Sequence, residues 1–123
     1  MKIIEAVTKI DALKPNNYTT ENKVAWLSVL DGMIKEEIID THEGGDAISF
    51  TGYDENTPND TVLIVPSPYD DIYVRWLEAQ IDYANGEYGR YSNSMTMFNA
   101  TYSAYERYYN RNNMPKGKSI TYF

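Results

Sequence analysis

Apolar positions recur every three to four residues over most of the chain, the spacing of helices that bury one face. Ile3, Val7 and Ile10, with Ile4 and Leu13 beside them, predict a short helix over the first 13 residues. Lys14-Pro15-Asn16-Asn17 stops it, because proline disfavours helix in the residue before it. Thr19 or Thr20 then reads as an N-cap, with Glu21 in the dipole-favoured first turn. Val24, Leu27, Leu30, Ile34 and Ile38 form the stripe of a second helix that runs to about Ile39, widened by Trp26 and Met33. Gly32 lies inside it and marks a close helix crossing or a bend.

The period is lost over residues 41–61, where Gly44, Gly45, Gly52, Asn56, Pro58 and Asn59 are turn chemistry. Loops this long are usually functional or mobile. Ile48-Ser49-Phe50 predicts a brief strand, and Thr61–Val65 a better one that Lys118–Tyr122 is placed to pair with. Ser67-Pro68-Tyr69-Asp70 predicts a helix start, with Ser67 as cap, Pro68 in the first helical position and Asp70 completing a capping box. The third helix carries Ile72, Tyr73, Trp76, Leu77, Ile81 and Ala84, an arc wide enough to be buried on two sides, and Asn85-Gly86 ends it. A fourth helix spans roughly Glu87 to Asn112. Its Tyr88, Tyr91, Met95, Phe98, Tyr102, Tyr105 and Tyr109 alternate steps of three and four, a heptad seam suited to packing along the third helix.

These patterns predict a single domain over 1–123 and a mainly α fold. It is a small helical domain with a long antiparallel helical hairpin, an extended acidic loop and at most a short β-ribbon.

Charge changes the picture next. The 123 residues carry a net charge of −7, unevenly placed. Glu43, Asp46, Asp54, Glu55 and Asp60 fall in residues 41–68, which hold no Lys or Arg. Beyond Glu106 the balance reverses, with Arg107, Arg111, Lys116 and Lys118 and no acid. The overall sign disfavours tight nucleic-acid binding, which depends on neutralising phosphates, and adsorption to anionic membranes. The acidic stretch is either a solvated loop or a surface that repels nucleic acid or docks on a basic partner. Its interaction candidates are Glu43, Asp46, Asp54 and Glu55; those of the basic end are Arg111, Lys116 and Lys118. Twelve tyrosines are present, ten of them after residue 68. The seam tyrosines read as core, and Tyr108, off the seam, reads as an interface residue.

Candidate chemistry is sparse. Cysteine is absent and His42 is the one histidine, which excludes thiolate zinc sites, thiol nucleophiles and paired-imidazole mechanisms. His42-Glu43 lacks the second histidine of a zinc-protease motif. Asp54-Glu55-Asn56 with Asp60 has calcium-loop composition, but Asn59 replaces the required glycine and Val65 the bidentate Glu. A Ser49–His42–Asp46 triad has nothing to place it on a nucleophile elbow. Neither a catalytic residue nor a cofactor or metal site is expected. No apolar run reaches the roughly 18 residues of a membrane span, and MKIIEAVTKID lacks the apolar region of a signal peptide.

Four segments resemble a known family: Ala12-Leu13-Lys14-Pro15-Asn16, then Trp26 to Ile34 (WLSVLDGMI), then Trp76 to Tyr88 (WLEAQIDYANGEY), then Asn110 to Pro115 (NRNNMP). They are similar to small structural proteins encoded by prophages of gut Firmicutes, which resemble the head–tail connector (adaptor) proteins of long-tailed phages. The likeness covers both ends of the chain and is weakest in the acidic loop. It implies a mainly helical, non-enzymatic subunit, made in the bacterial host cytoplasm and located in the virion at the head–tail junction. It also implies a ring, typically of twelve copies, beneath the portal protein, with neck and tail proteins docking below and DNA passing through without specific binding. On that reading the loop 41–61 is mobile in the free subunit and orders on assembly, and the basic end, Arg107 to Lys118, meets an acidic surface of a neighbouring subunit or the portal. The alternatives are a DNA-packaging, small-terminase-like subunit, a small enzyme working with carboxylates and tyrosines, another neck or virion protein, and a cytoplasmic interaction module.

Overall fold

The computed structural model describes residues 1–116. Four α-helices account for most of them: α1 (Ile3–Leu13), α2 (Thr20–Ile34), α3 (Ile72–Ala84) and α4 (Tyr88–Asn112). Helices α3 and α4 pack closely as an antiparallel hairpin, and α1 and α2 lie against α3. The fold is mainly helical, as the periodicity predicts.

Local chemistry explains most boundaries. Thr19 caps α2, its side chain accepting the Asn22 N–H at 3.1 Å. Gly86, at φ +75°, turns the chain out of α3, and the Glu87 N–H closes the turn on the Asp82 carbonyl at 2.9 Å. The second helical run does reach Ile39, but Lys35–Ile39 is a π-helical turn. There the Asp40 N–H donates to the Lys35 carbonyl five residues back. The wider turn brings the adjacent Ile38 and Ile39 inward together, and both are buried.

The core joins Ile3, Val7 and Ile10 of α1, Leu27, Leu30 and Ile34 of α2, Ile72, Trp76, Leu77 and Ile81 of α3, and Phe98, Tyr105 and Tyr109 of α4. The α4 seam is therefore core in its middle and at its end. Tyr91, Met95 and Tyr102 are half-buried, and Tyr88 is exposed, its ring set against Tyr83 at 5.6 Å. The arc of α3 is buried against several neighbours except at Ala84, which is exposed.

Three expectations are corrected. Helix α3 begins at Ile72, not at Ser67-Pro68. Residues 66–71 make successive turns instead, which bury Val65 and set the Tyr69 ring 4.8 Å from Tyr108 and 6.0 Å from Tyr105. That burial outweighs a local capping box. Ile48–Phe50 and Thr61–Val65 are not strands: among the described residues only isolated bridges occur, Lys2 with Val62 and His42 with Pro115. The pairing partner expected for Thr61–Val65, Lys118–Tyr122, lies outside the described residues. Gly32 does not mark a close crossing: a Cβ there would meet Phe50 Cε2 at an ordinary 3.6 Å.

Candidate interaction surfaces

The middle segment, 41–64, is held to the helical frame at several points. Asp31 of α2 is fully buried. Its Oδ2 accepts from the Tyr53 hydroxyl at 2.6 Å and the Ile64 N–H at 3.1 Å. Its Oδ1 accepts from the Tyr73 hydroxyl at 2.6 Å. The Tyr73 oxygen in turn accepts the Val65 N–H at 2.7 Å. Ser28 Oγ takes the Tyr53 N–H at 2.9 Å. One carboxylate thus fastens two points of the middle segment and α3 to α2, with all three donors satisfied.

Burial pushes the Asp31 carboxyl above its usual range even against these hydrogen bonds, and it pushes both tyrosine hydroxyls up as well. The folded state therefore holds the Asp31 proton more tightly than the unfolded chain does. The stability linked to it is complete below the unfolded carboxylate value and is lost as pH rises through the raised folded value. Urea midpoints at pH 4 and pH 7 should show wild type losing stability relative to Asp31→Asn as pH rises; a constant difference would place the folded value at its ordinary position.

His42 fastens the other end. It is buried, with Nδ1 2.6 Å from the Ile38 carbonyl and Nε2 2.7 Å from Asn110 Oδ1, and its ring meets Tyr109 edge-on at 4.9 Å. Both nitrogens are occupied by structural partners, which removes the triad with Ser49 and Asp46. The Glu43 N–H donates to the Met114 carbonyl and the Lys116 N–H to the Thr41 carbonyl, at 2.8 and 2.9 Å. The start of the acidic segment and the basic end are therefore joined through their backbones.

Two further ion pairs brace the frame. The Lys14 ammonium lies 2.6 Å from buried Asp82 Oδ1, while the Ser94 hydroxyl donates to Oδ2 at 2.6 Å. That ammonium stands off the hydrogen-bonding direction of Oδ1, so its contribution is Coulombic. Lys23, buried in α2, reaches Asp11 at 2.6 Å and the Tyr18 carbonyl at 2.9 Å. Burial of Asp11 opposes its ionisation, but the hydrogen bonds from Lys23 and Asn16 hold its carboxyl below the usual range.

The predicted surface residues separate into groups. Glu43, Asp46, Asp54 and Glu55 are all exposed. Asp54 Oδ1 accepts the Asn56 N–H at 2.8 Å, which makes it the anchor of a local turn. Asp54 and Glu55 share a polar groove with Glu21 at the start of α2. Among the described residues, no group of three acids or imidazoles is placed to hold a metal. Arg111 and Lys116 are exposed at the end of α4 and just beyond it, and Lys118 lies outside the described residues. Tyr108 is not a free surface ring: it is half-buried against Tyr69 and Tyr105.

Sequence reasoning missed Asp31, Lys23 and Asp82. A signal for the first two was present: Lys23, Leu27, Asp31 and Ile34 share one helix face by their spacing. No described helix is long and apolar enough to cross a membrane. No family model, curated protein or solved structure matches this chain.

Proposed function

We propose that this chain is a head–tail connector subunit of a tailed phage, a structural protein that assembles as a ring under the portal and joins the DNA-filled head to the tail. The observation that carries the reading is where the family-like segments fall. They fall at the end of α1 and just after it, over much of α2, over α3 from Trp76 on with the hairpin turn, and at the end of α4 and just after it. They also contact one another. Lys14 of the first meets Asp82 of the third at 2.6 Å, and the Trp76 Nε1–H of the third donates to the Trp26 carbonyl of the second at 2.8 Å. Three of the four family-like segments thus meet one another in the folded chain.

On this reading the exposed acids repel DNA in transit, and the exposed face of the loop 41–61, already fastened at His42 and Tyr53, packs against a neighbour. Arg107, Arg111 and Lys116 supply the basic half of a heterologous contact. Reversing Arg111 and Lys116 to Glu should weaken ring assembly, read by sedimentation at low salt; unchanged assembly would remove the basic end from the interface.

The deciding experiment is electron microscopy of particles from an induced lysogen with this gene deleted. Full heads without tails are expected. Normal tailed particles would overturn the reading, and empty heads would favour a DNA-packaging subunit.

A further inference from the structure

Beside the Asp31 anchor lies an open cleft of about 540 Å³, within the size range of ligand-binding clefts. Phe50, Thr51 and Tyr53 line it together with Thr61, Val62 and Ile64. The Thr61–Leu63 stretch is paired along one edge only, by the isolated bridge of Val62 with Lys2. Ile3 N–H donates to the Thr61 carbonyl and Leu63 N–H to the Met1 carbonyl, at 3.0 and 2.9 Å. In this antiparallel pattern the N–H and C=O of Val62 point the opposite way, as does the Ile64 N–H. Asp31 takes the Ile64 N–H. The Val62 groups meet no protein partner among the described residues, and the Val62 side chain is 65% exposed.

The rim is acidic. Asp54 lines the cleft, Glu55 and Asp60 flank its wall residues in sequence, and all three are exposed. A neighbouring polar groove shares Asp54 and Thr57 with the cleft and adds Glu21. The sequence offers no Lys or Arg from residue 41 to residue 74. Lys2, the basic side chain nearest in pairing, sits across the other edge of the Val62 segment.

We propose that this cleft captures an extended, lysine- or arginine-bearing segment of a partner protein, which adds as a strand to the Val62 edge. Main-chain pairing supplies affinity in such strand addition, and alternate side chains supply specificity. Here one set of side chains lies over Phe50 and Val62 and the other reaches Asp54, Glu55 and Asp60. The inference stands apart from the connector reading, since its test involves no head, portal or tail.

The test is fluorescence anisotropy of the full chain with three labelled octapeptides: alternating lysine and threonine, alternating glutamate and threonine, and alternating lysine and proline. The lysine–threonine peptide should bind at least about tenfold more tightly than either of the others. Glu55→Lys with Asp60→Lys should weaken it by a similar factor. Glu36→Lys with Glu106→Lys makes the same change in net charge at residues that neither line the cleft nor flank its lining in sequence, and should leave binding nearly unchanged. Equal losses in the two double variants would reveal general attraction to an acidic chain and overturn the proposal. So would equal binding of the lysine–proline peptide, which lacks alternate N–H donors, or no binding at all. Binding that fades as protein concentration rises would assign the cleft to a second copy and overturn the choice of partner.

Discussion

Asp31→Ala should lower the unfolding free energy by about 2–4 kcal/mol at pH 7, measured by urea denaturation. The substitution leaves the Tyr73 hydroxyl, the Tyr53 hydroxyl and the Ile64 N–H without their acceptor. Tyr73 is completely buried, so water does not readily replace the carboxylate there. Part of the loss is offset, because removing a desolvated carboxylate relieves the cost that raises its pKa. The same variant should raise hydrogen exchange in residues 50–65 more than in α4, since Asp31 fastens the middle segment and α4 contributes no hydrogen bond to that carboxylate. A loss below about 1 kcal/mol would mean that the orphaned donors find other acceptors.

The second large effect falls on a glycine whose φ is ordinary. A Cβ at Gly45 would lie 2.3 Å from the Ile39 carbonyl oxygen, 3.0 Å from the Ile39 carbonyl carbon and 3.3 Å from Asp40 Cα. All three are backbone atoms at the end of the π turn, and none can swing aside as a side chain would. Gly45→Ala should therefore cost about 1–3 kcal/mol by forcing the turn and the loop apart. The shift also threatens the Lys35 ammonium, which donates to the Gly45 carbonyl at 2.9 Å and pairs with Asp40. Gly44 makes the informative comparison. It has φ +84° but open space around its Cβ position, so Gly44→Ala carries only the left-handed backbone penalty of about 1 kcal/mol. Thermal melts of the two variants should rank Gly45→Ala as the less stable; the reverse order would show that the contact relaxes freely.

The helical frame was legible because helices announce themselves locally. Pro15, Thr19, the three-and-four spacing and Asn85-Gly86 each act within a turn or two of where they stand. The α3 start misled for the same reason. Ser67, Pro68 and Asp70 make a sound local signal, but Tyr69 packs against residues of α4 almost 40 positions away. Asp31 was legible in part: its register on the Leu27–Ile34 face was readable, whereas its tyrosine partners were not. Nothing in the pattern links His42 to Asn110, or Val62 to Lys2, because a single bridge leaves no periodic trace. The cleft has no motif either; it exists only once two irregular segments are brought together.

The two bridges also set a kinetic order. Lys2 with Val62, and His42 with Pro115, each join residues about half the chain or more apart. The α3–α4 hairpin is local and closes its contacts across a short turn, whereas each bridge must first pay the entropy of a long loop. The hairpin is thus the natural nucleus, and both stitches form late on its surface. Mutations at the stitches should then act mainly on the unfolding rate and leave the folding rate nearly untouched.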